Sequence, residues 1–190
     1  NATELLLAPD HYLYRMLHSQ GIALESLGVP DRSGMSSADP RAAWRTFAAN
    51  QHLFRGTPSP MWLGHVFSEV FGFEVRLGPE TADFYFDAIN DKLATAEFRP
   101  RALFDRFNIE ALATTESPSD SLKHHRAIRD SGWGGQVITA YRPDPVIDPE
   151  TIGFPDNLAR FGSMAGEDVS TWTGYLRAHE NRRAFFRAAG

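Results

Sequence analysis

Phe107–Asp144 reads FNIEALATTESPSDSLKHHRAIRDSGWGGQVITAYRPD, and this stretch decides the fold. Two apolar runs bracket it, Ile109–Thr114 and Gln136–Tyr141. Between them Ser117 is placed to N-cap a helix, with Pro118 at its first position, Asp120 in its first turn and Gly132 as its terminator. About twenty residues separate the runs, too many for a hairpin and enough for a crossover. The expected unit is two parallel strands with a helix packed over them by a right-handed connection. Chemistry collects where such strands end. The second run ends in Arg142-Pro143-Asp144, and a proline holds the residue before it extended. Arg142 is therefore expected at the rim, its guanidinium open to an anion. The simpler alternative is a surface pair with Asp144.

Working outward toward the start, helical patterns dominate. Asp10 reads as the N-cap of a helix running to Gln20, stopped by Gly21, with Leu13, Met16 and Leu17 on its apolar face. His11 and Tyr12 then occupy the first turn, where free N–H groups favour negative ligands. The alternative is that His11 is solvated and Tyr12 packs on a neighbour. Asp31–Asp39 is a Ser/Gly-rich loop. Asp39-Pro40 opens a helix with Trp44, Phe47, Ala48 and Phe54 inward, and Ser59-Pro60 opens another carrying Leu63, Val66, Phe67, Val70 and Phe71. After Gly78-Pro79 a helix turns Ala82, Tyr85, Phe86, Ile89, Leu93 and Ala96 to one side. Arg99-Pro100 opens a short helix built on Leu103, Phe104 and Phe107.

Beyond Asp144 the pattern predicts a loop over Pro143–Phe154, a helix around Pro155–Phe161 and a break at Ser163–Glu167. A last helix from Asp168 to Ala188 is expected to bury Val169, Trp172, Leu176, His179 and Phe186. The fold class is α/β and predominantly helical. A helical region over 1–107 precedes the strand–helix–strand unit and C-terminal helices of 108–190.

The totals exclude several functions. The 190 residues suffice for a real core. A net charge of −5 with no basic stripe argues against nucleic acid. No apolar run approaches a membrane span, and there is no signal-peptide pattern. Cysteine is absent, which removes thiolate chemistry and disulfides and fits a reducing cytoplasm. The seven histidines lack metal-binding spacing: there is no His-x-His and no His-Glu-x-x-His. Adjacent His124 and His125 diverge by roughly 100° on a helix, so they cannot easily share an ion. No phosphate-binding glycine loop and no Gly-x-Ser-x-Gly elbow occur.

Phe104–Asp144 and Asp10–Gly21 (DHYLYRMLHSQG) together resemble the uronate isomerases of the amidohydrolase superfamily, and Trp172–Arg183 does so less specifically. The resemblance implies a (βα)8 barrel with an early helical insertion. It implies aldose–ketose isomerisation of D-glucuronate to D-fructuronate and of D-galacturonate to D-tagaturonate. It implies that His11 and Tyr12 touch substrate hydroxyls and that Arg142 holds the sugar carboxylate. The family binds a divalent metal, usually zinc, but its His-x-His pair would precede this chain and its remaining ligand would follow Gly190. The chain thus resembles an internal piece, expected to bind no metal and to be inactive alone. Glu116-Ser117 stands where the family usually has two aspartates, and His18 replaces an arginine. Expected partners are a uronate and a second copy of the chain, with exposed strand edges driving self-association. Two alternatives stay open: a non-catalytic helical assembly module, and a superfamily relative acting on another acid.

Overall fold

The computed structural model describes residues 1–29 and 38–189. The loop expected at Asp31–Asp39 lies, but for its last two positions, outside the described residues. The chain forms two compact units, Asn1–Ala102 and Leu103–Gly190.

The first unit is helical because its apolar residues recur at helical spacing between strong caps. Asp10 caps α1 (His11–Ser19), its carboxylate accepting from the Tyr12 and Leu13 N–H groups at 2.9 and 3.3 Å. Gly21 follows that helix with φ at 87°. Asp39 caps α2 (Pro40–Ala49) in the same way, with Pro40 in the first turn. Leu13, Leu17, Trp44, Phe47 and Ala48 are buried as their spacing predicts. α3 (Ser59–His65) runs on into a π turn at Val66–Val70, and Gly72 ends the segment. α4 (Ala82–Leu93) buries Ala82, Tyr85, Phe86 and Ile89. Ala96, expected on that face, instead opens a separate 3-10 turn and is exposed, because the Ala94 N–H already closes α4 on Asn90 and Asp91. Trp44 is the keystone of this packing. Its indole N–H donates to the Ala82 carbonyl at 3.0 Å, and its ring meets Phe47 and Phe67. Outside the core, Arg41 and Arg45 of α2 clasp Asp83 and Asp87 of α4.

α5 (Pro100–Arg106) begins in the last residues of the first unit and leads into β1 (Ala111–Glu116), α6 (Lys123–Asp130) and β2 (Gln136–Tyr141) of the second. The strands are parallel, with Ala111 opposite Gln136 and Glu116 opposite Tyr141. β1 begins two residues later than the apolar run suggests. Asn108, at φ 51°, reverses the chain after α5, while the Asn108 and Ile109 N–H groups return to Asp105 and Phe104 carbonyls. Ile109 is thus spent on ending a helix. α6 also starts late, and Ser117 does not cap it. The Asp120 carboxylate accepts from the Leu122 N–H at 2.6 Å, Leu122 takes φ 53°, and the helix begins only at Lys123. Gly132, at φ 69°, ends the element as expected.

α7 (Asp144–Ile147) occupies part of the segment read as loop, α8 (Phe154–Ala165) runs through the expected break at Ser163, and α9 (Trp172–Ala189) completes the unit. Val146, Phe161 and Ala178 form its buried cluster. α9 starts later than Asp168 because the Thr171 hydroxyl, accepting from the Gly174 N–H at 3.1 Å, supplies the cap. Its buried face is Gly174, Ala178, His179, Arg182 and Phe186. Trp172 and Leu176, expected inside, are 71% and 43% exposed. A Cβ at Gly174 would run into the Asp168 carbonyl, so the chain before the helix folds tightly against this small-residue side.

Candidate functional site

His11 and Tyr12 are the first two residues of α1, both exposed. Asp10 uses its carboxylate on backbone N–H groups, so neither side chain is needed for capping. Their rings lie 4.2 Å apart, tilted by 33°, and present an imidazole and a phenol side by side. Among the described residues neither ring has a hydrogen-bond partner. The structure therefore brings these two together as a polar pair facing solvent, a geometry suited to hydroxyl groups.

Arg142 belongs to the second unit and leaves the end of β2 as its proline neighbour dictates. Its N–H donates to the Glu116 carbonyl at 3.0 Å, extending the parallel ladder by one bond. Its Nε donates to the Asp144 carboxylate at 3.0 Å, and both side chains are more than half exposed. The surface pair and the rim position are thus both present. The guanidinium holds the Asp144 carboxyl below its usual range. The two Nη groups have no partner among the described residues and remain available for a second carboxylate.

Sequence reasoning missed a polar cluster on the α6 side of the strands. Glu116 accepts from the Thr139 hydroxyl, and its carboxylate lies 3.5 Å from His125 Nε2. That nitrogen is also 2.8 Å from the Thr114 hydroxyl. The imidazole and carboxylate side chains are only 10% and 16% exposed. The signal available was the alternation of Thr114 and Glu116 onto one strand face. Nearby, the Tyr141 hydroxyl meets His179 Nδ1 at 2.7 Å. Burial pushes the Tyr141 phenol up to about 12 and, with Arg183, pushes the His179 imidazole down.

Among the described residues no three His, Asp or Glu side chains cluster in a way that could hold a metal ion. His125 and Glu116 make a pair that lacks a third ligand, so the described residues do not fit a metal centre.

Two parallel strands joined by a helix, with an arginine at the carboxyl end of the second strand, form the strand–helix–strand unit from which α/β enzymes are built. The family model for glucuronate isomerase matches residues 1–190, and the chain belongs to that family. It is 65% identical over 190 residues to the uronate isomerase of Phenylobacterium zucineum and 61% identical over 194 residues to that of Sphingopyxis alaskensis. In both cases all of this chain aligns with 40% of the relative, so the chain spans two fifths of their length. The crystal structure of glucuronate isomerase from Caulobacter crescentus superposes with a TM-score of 0.93 at 61% identity, over 100% of this chain and 40% of that one. The uronate isomerase of Thermotoga maritima superposes with a TM-score of 0.80 at 25% identity, over 95% of this chain and 38% of that one. No described helix is long and apolar enough to cross a membrane.

Proposed function

We propose that this chain supplies the substrate grip for aldose–ketose isomerisation of uronates, D-glucuronate to D-fructuronate and D-galacturonate to D-tagaturonate, in the cytoplasm. Arg142 takes the sugar carboxylate through its Nη groups, a charge-assisted contact. His11 and Tyr12 take ring or open-chain hydroxyls. The observation that carries this reading is the placement of Arg142, extended at a strand end with part of its guanidinium unspent, in a chain of this family. The residues named bind and orient. The C2-to-C1 proton transfer and the divalent metal, usually zinc, that the family's chemistry implies are assigned to no residue of this chain.

The test is titration of the chain with D-glucuronate, D-galacturonate and D-glucose, followed by backbone amide shifts. The uronates are expected to perturb the amides around Arg142 and around His11 and Tyr12, and glucose, which lacks the carboxylate, is not. Arg142→Ala should weaken uronate binding at least tenfold, in line with the ~1.5–3 kcal/mol of a charged hydrogen bond. Equal responses to glucuronate and glucose, or an unchanged affinity in Arg142→Ala, would sink the assignment.

A further inference from the structure

The first unit contains a cavity of about 690 Å³ that includes none of His11, Tyr12 or Arg142. That volume lies within the range of small-molecule sites and far exceeds the need of a lone ion. Its floor is aromatic. Phe67, Phe73 and Tyr85 are each under a tenth exposed, and Tyr85 meets the other two rings at centroid distances of 4.9 and 4.5 Å. The Tyr85 hydroxyl is spent on the Val75 carbonyl at 2.5 Å, so this floor offers fixed ring surface and no loose donor.

Its walls carry two arginines. Arg55 follows the 3-10 turn Gln51–Phe54, Arg76 comes from the chain before Gly78, and His52 of the same turn also lines the cavity. Among the described residues neither guanidinium has an ion-pair or hydrogen-bond partner. Arg41 and Arg45 in the same unit are bound to Asp83 and Asp87. Glu74 also lines the cavity, yet makes no ion pair with either arginine. Two arginines and one glutamate, all exposed, thus line a pocket with an apolar base. A carboxylate or phosphate would satisfy the guanidiniums, a compact body would cover the rings, and a hydroxyl would donate to Glu74.

We propose that this cavity binds a small organic anion of monosaccharide size, its anionic group on Arg55 and Arg76 and its body on the Phe67–Phe73–Tyr85 floor. Sugar acids and sugar phosphates share the required chemistry.

The experiment is an amide-shift titration of the 190-residue chain with glucose 6-phosphate, D-glucuronate, inorganic phosphate and D-glucose. Saturable shifts are expected at residues 52–55 and 73–79 with the sugar phosphate, the sugar acid or both, and the stronger of the two identifies the source. Arg55→Gln and Arg76→Gln should each weaken that binding at least tenfold. Leu63→Trp, which fills the cavity and keeps both charges, should abolish it. Arg142→Ala should leave it intact, so this site and the uronate grip stand or fall separately. Absence of shifts at 52–55 and 73–79 with every anion overturns the proposal. So does binding unchanged in both arginine variants, or inorganic phosphate binding as tightly as the sugar phosphate, since the rings would then contribute nothing.

Discussion

His179 is 8% exposed on α9, with Tyr141 on its Nδ1 and the rings of Phe161 and Tyr175 at 4.7 and 4.6 Å. Burial first, and Arg183 second, lower its proton affinity. Tyr141 stays protonated beside it, so the pair is neutral near pH 7, and the phenol O–H donates to Nδ1 when the imidazole carries its proton on Nε2. Once unfolded, the imidazole regains an ordinary affinity and takes up a proton below about pH 6.5, while the folded one resists. The unfolded state then binds more protons, so this group's stabilisation is full above that pH and declines as pH falls. The urea midpoint of the second unit should drop between pH 7 and pH 5, and His179→Gln should flatten that slope even where it lowers stability overall. A slope identical in the variant would show that other groups set it. The inward position of His179 was legible from helical spacing. Its partner was not, because Tyr141 lies 38 residues away and nothing local specifies the pair.

Arg182 explains why the turn before α6 escapes a sequence reading. It is 6% exposed, its Nε donates to the Pro118 carbonyl at 2.8 Å and its Nη2 to the Asp120 carbonyl at 2.7 Å. The guanidinium also lies 4.1 Å from the Phe185 ring centroid. α9 thus holds Pro118–Asp120 open by taking carbonyls that a helix would have used internally. Ser117-Pro118-x-Asp120 has the local grammar of a helix start, and a contact from more than sixty residues away overrides it. Asp10 and Asp39 carry the same grammar with no such competitor, and both cap as read. Arg182→Met should cost about 3 kcal/mol, since it strands two carbonyls and removes charged hydrogen bonds. Arg182→Lys should recover only part of that, because one ammonium cannot reproduce the fork. Chemical denaturation of the three proteins checks both statements. A loss below about 0.5 kcal/mol, the size of an ordinary surface substitution, would remove the clamp from the account.

For the chain taken entire, legibility depended on how local the cause was. The parallel pair, the helical majority and the positions of His11, Tyr12 and Arg142 come from caps, proline and loop length. Strand alternation puts Thr114 and Glu116 on one face, but their meeting with His125 and Thr139 needs the strand register, and the exposed stripe of Trp172 and Leu176 needs the approach made possible by Gly174. Among the described residues β1 and β2 pair only with each other, which leaves an outer edge on each. Leu112 on β1 is 44% exposed. Unpaired edges recruit further strands, so the 190-residue chain should self-associate. Light scattering is expected to give a mass that climbs with concentration above the 21.2 kDa of one copy. A constant single-copy mass at high concentration would count against it.

The π turn at Val66–Val70 carries its own consequence for how this segment can change in length. The Phe71 N–H bonds back five residues to Val66 at 3.0 Å, so the turn holds one residue more than an α turn would. Removing any one of the five would leave a well-bonded ordinary helix, yet rotate the chain beyond it by about 100°. Phe71, stacked on Phe73 and Phe98 at 5.8 and 5.2 Å, would swing out of its aromatic column. Insertions and deletions among descendants of this sequence should therefore accumulate in the loops and spare this one helical step.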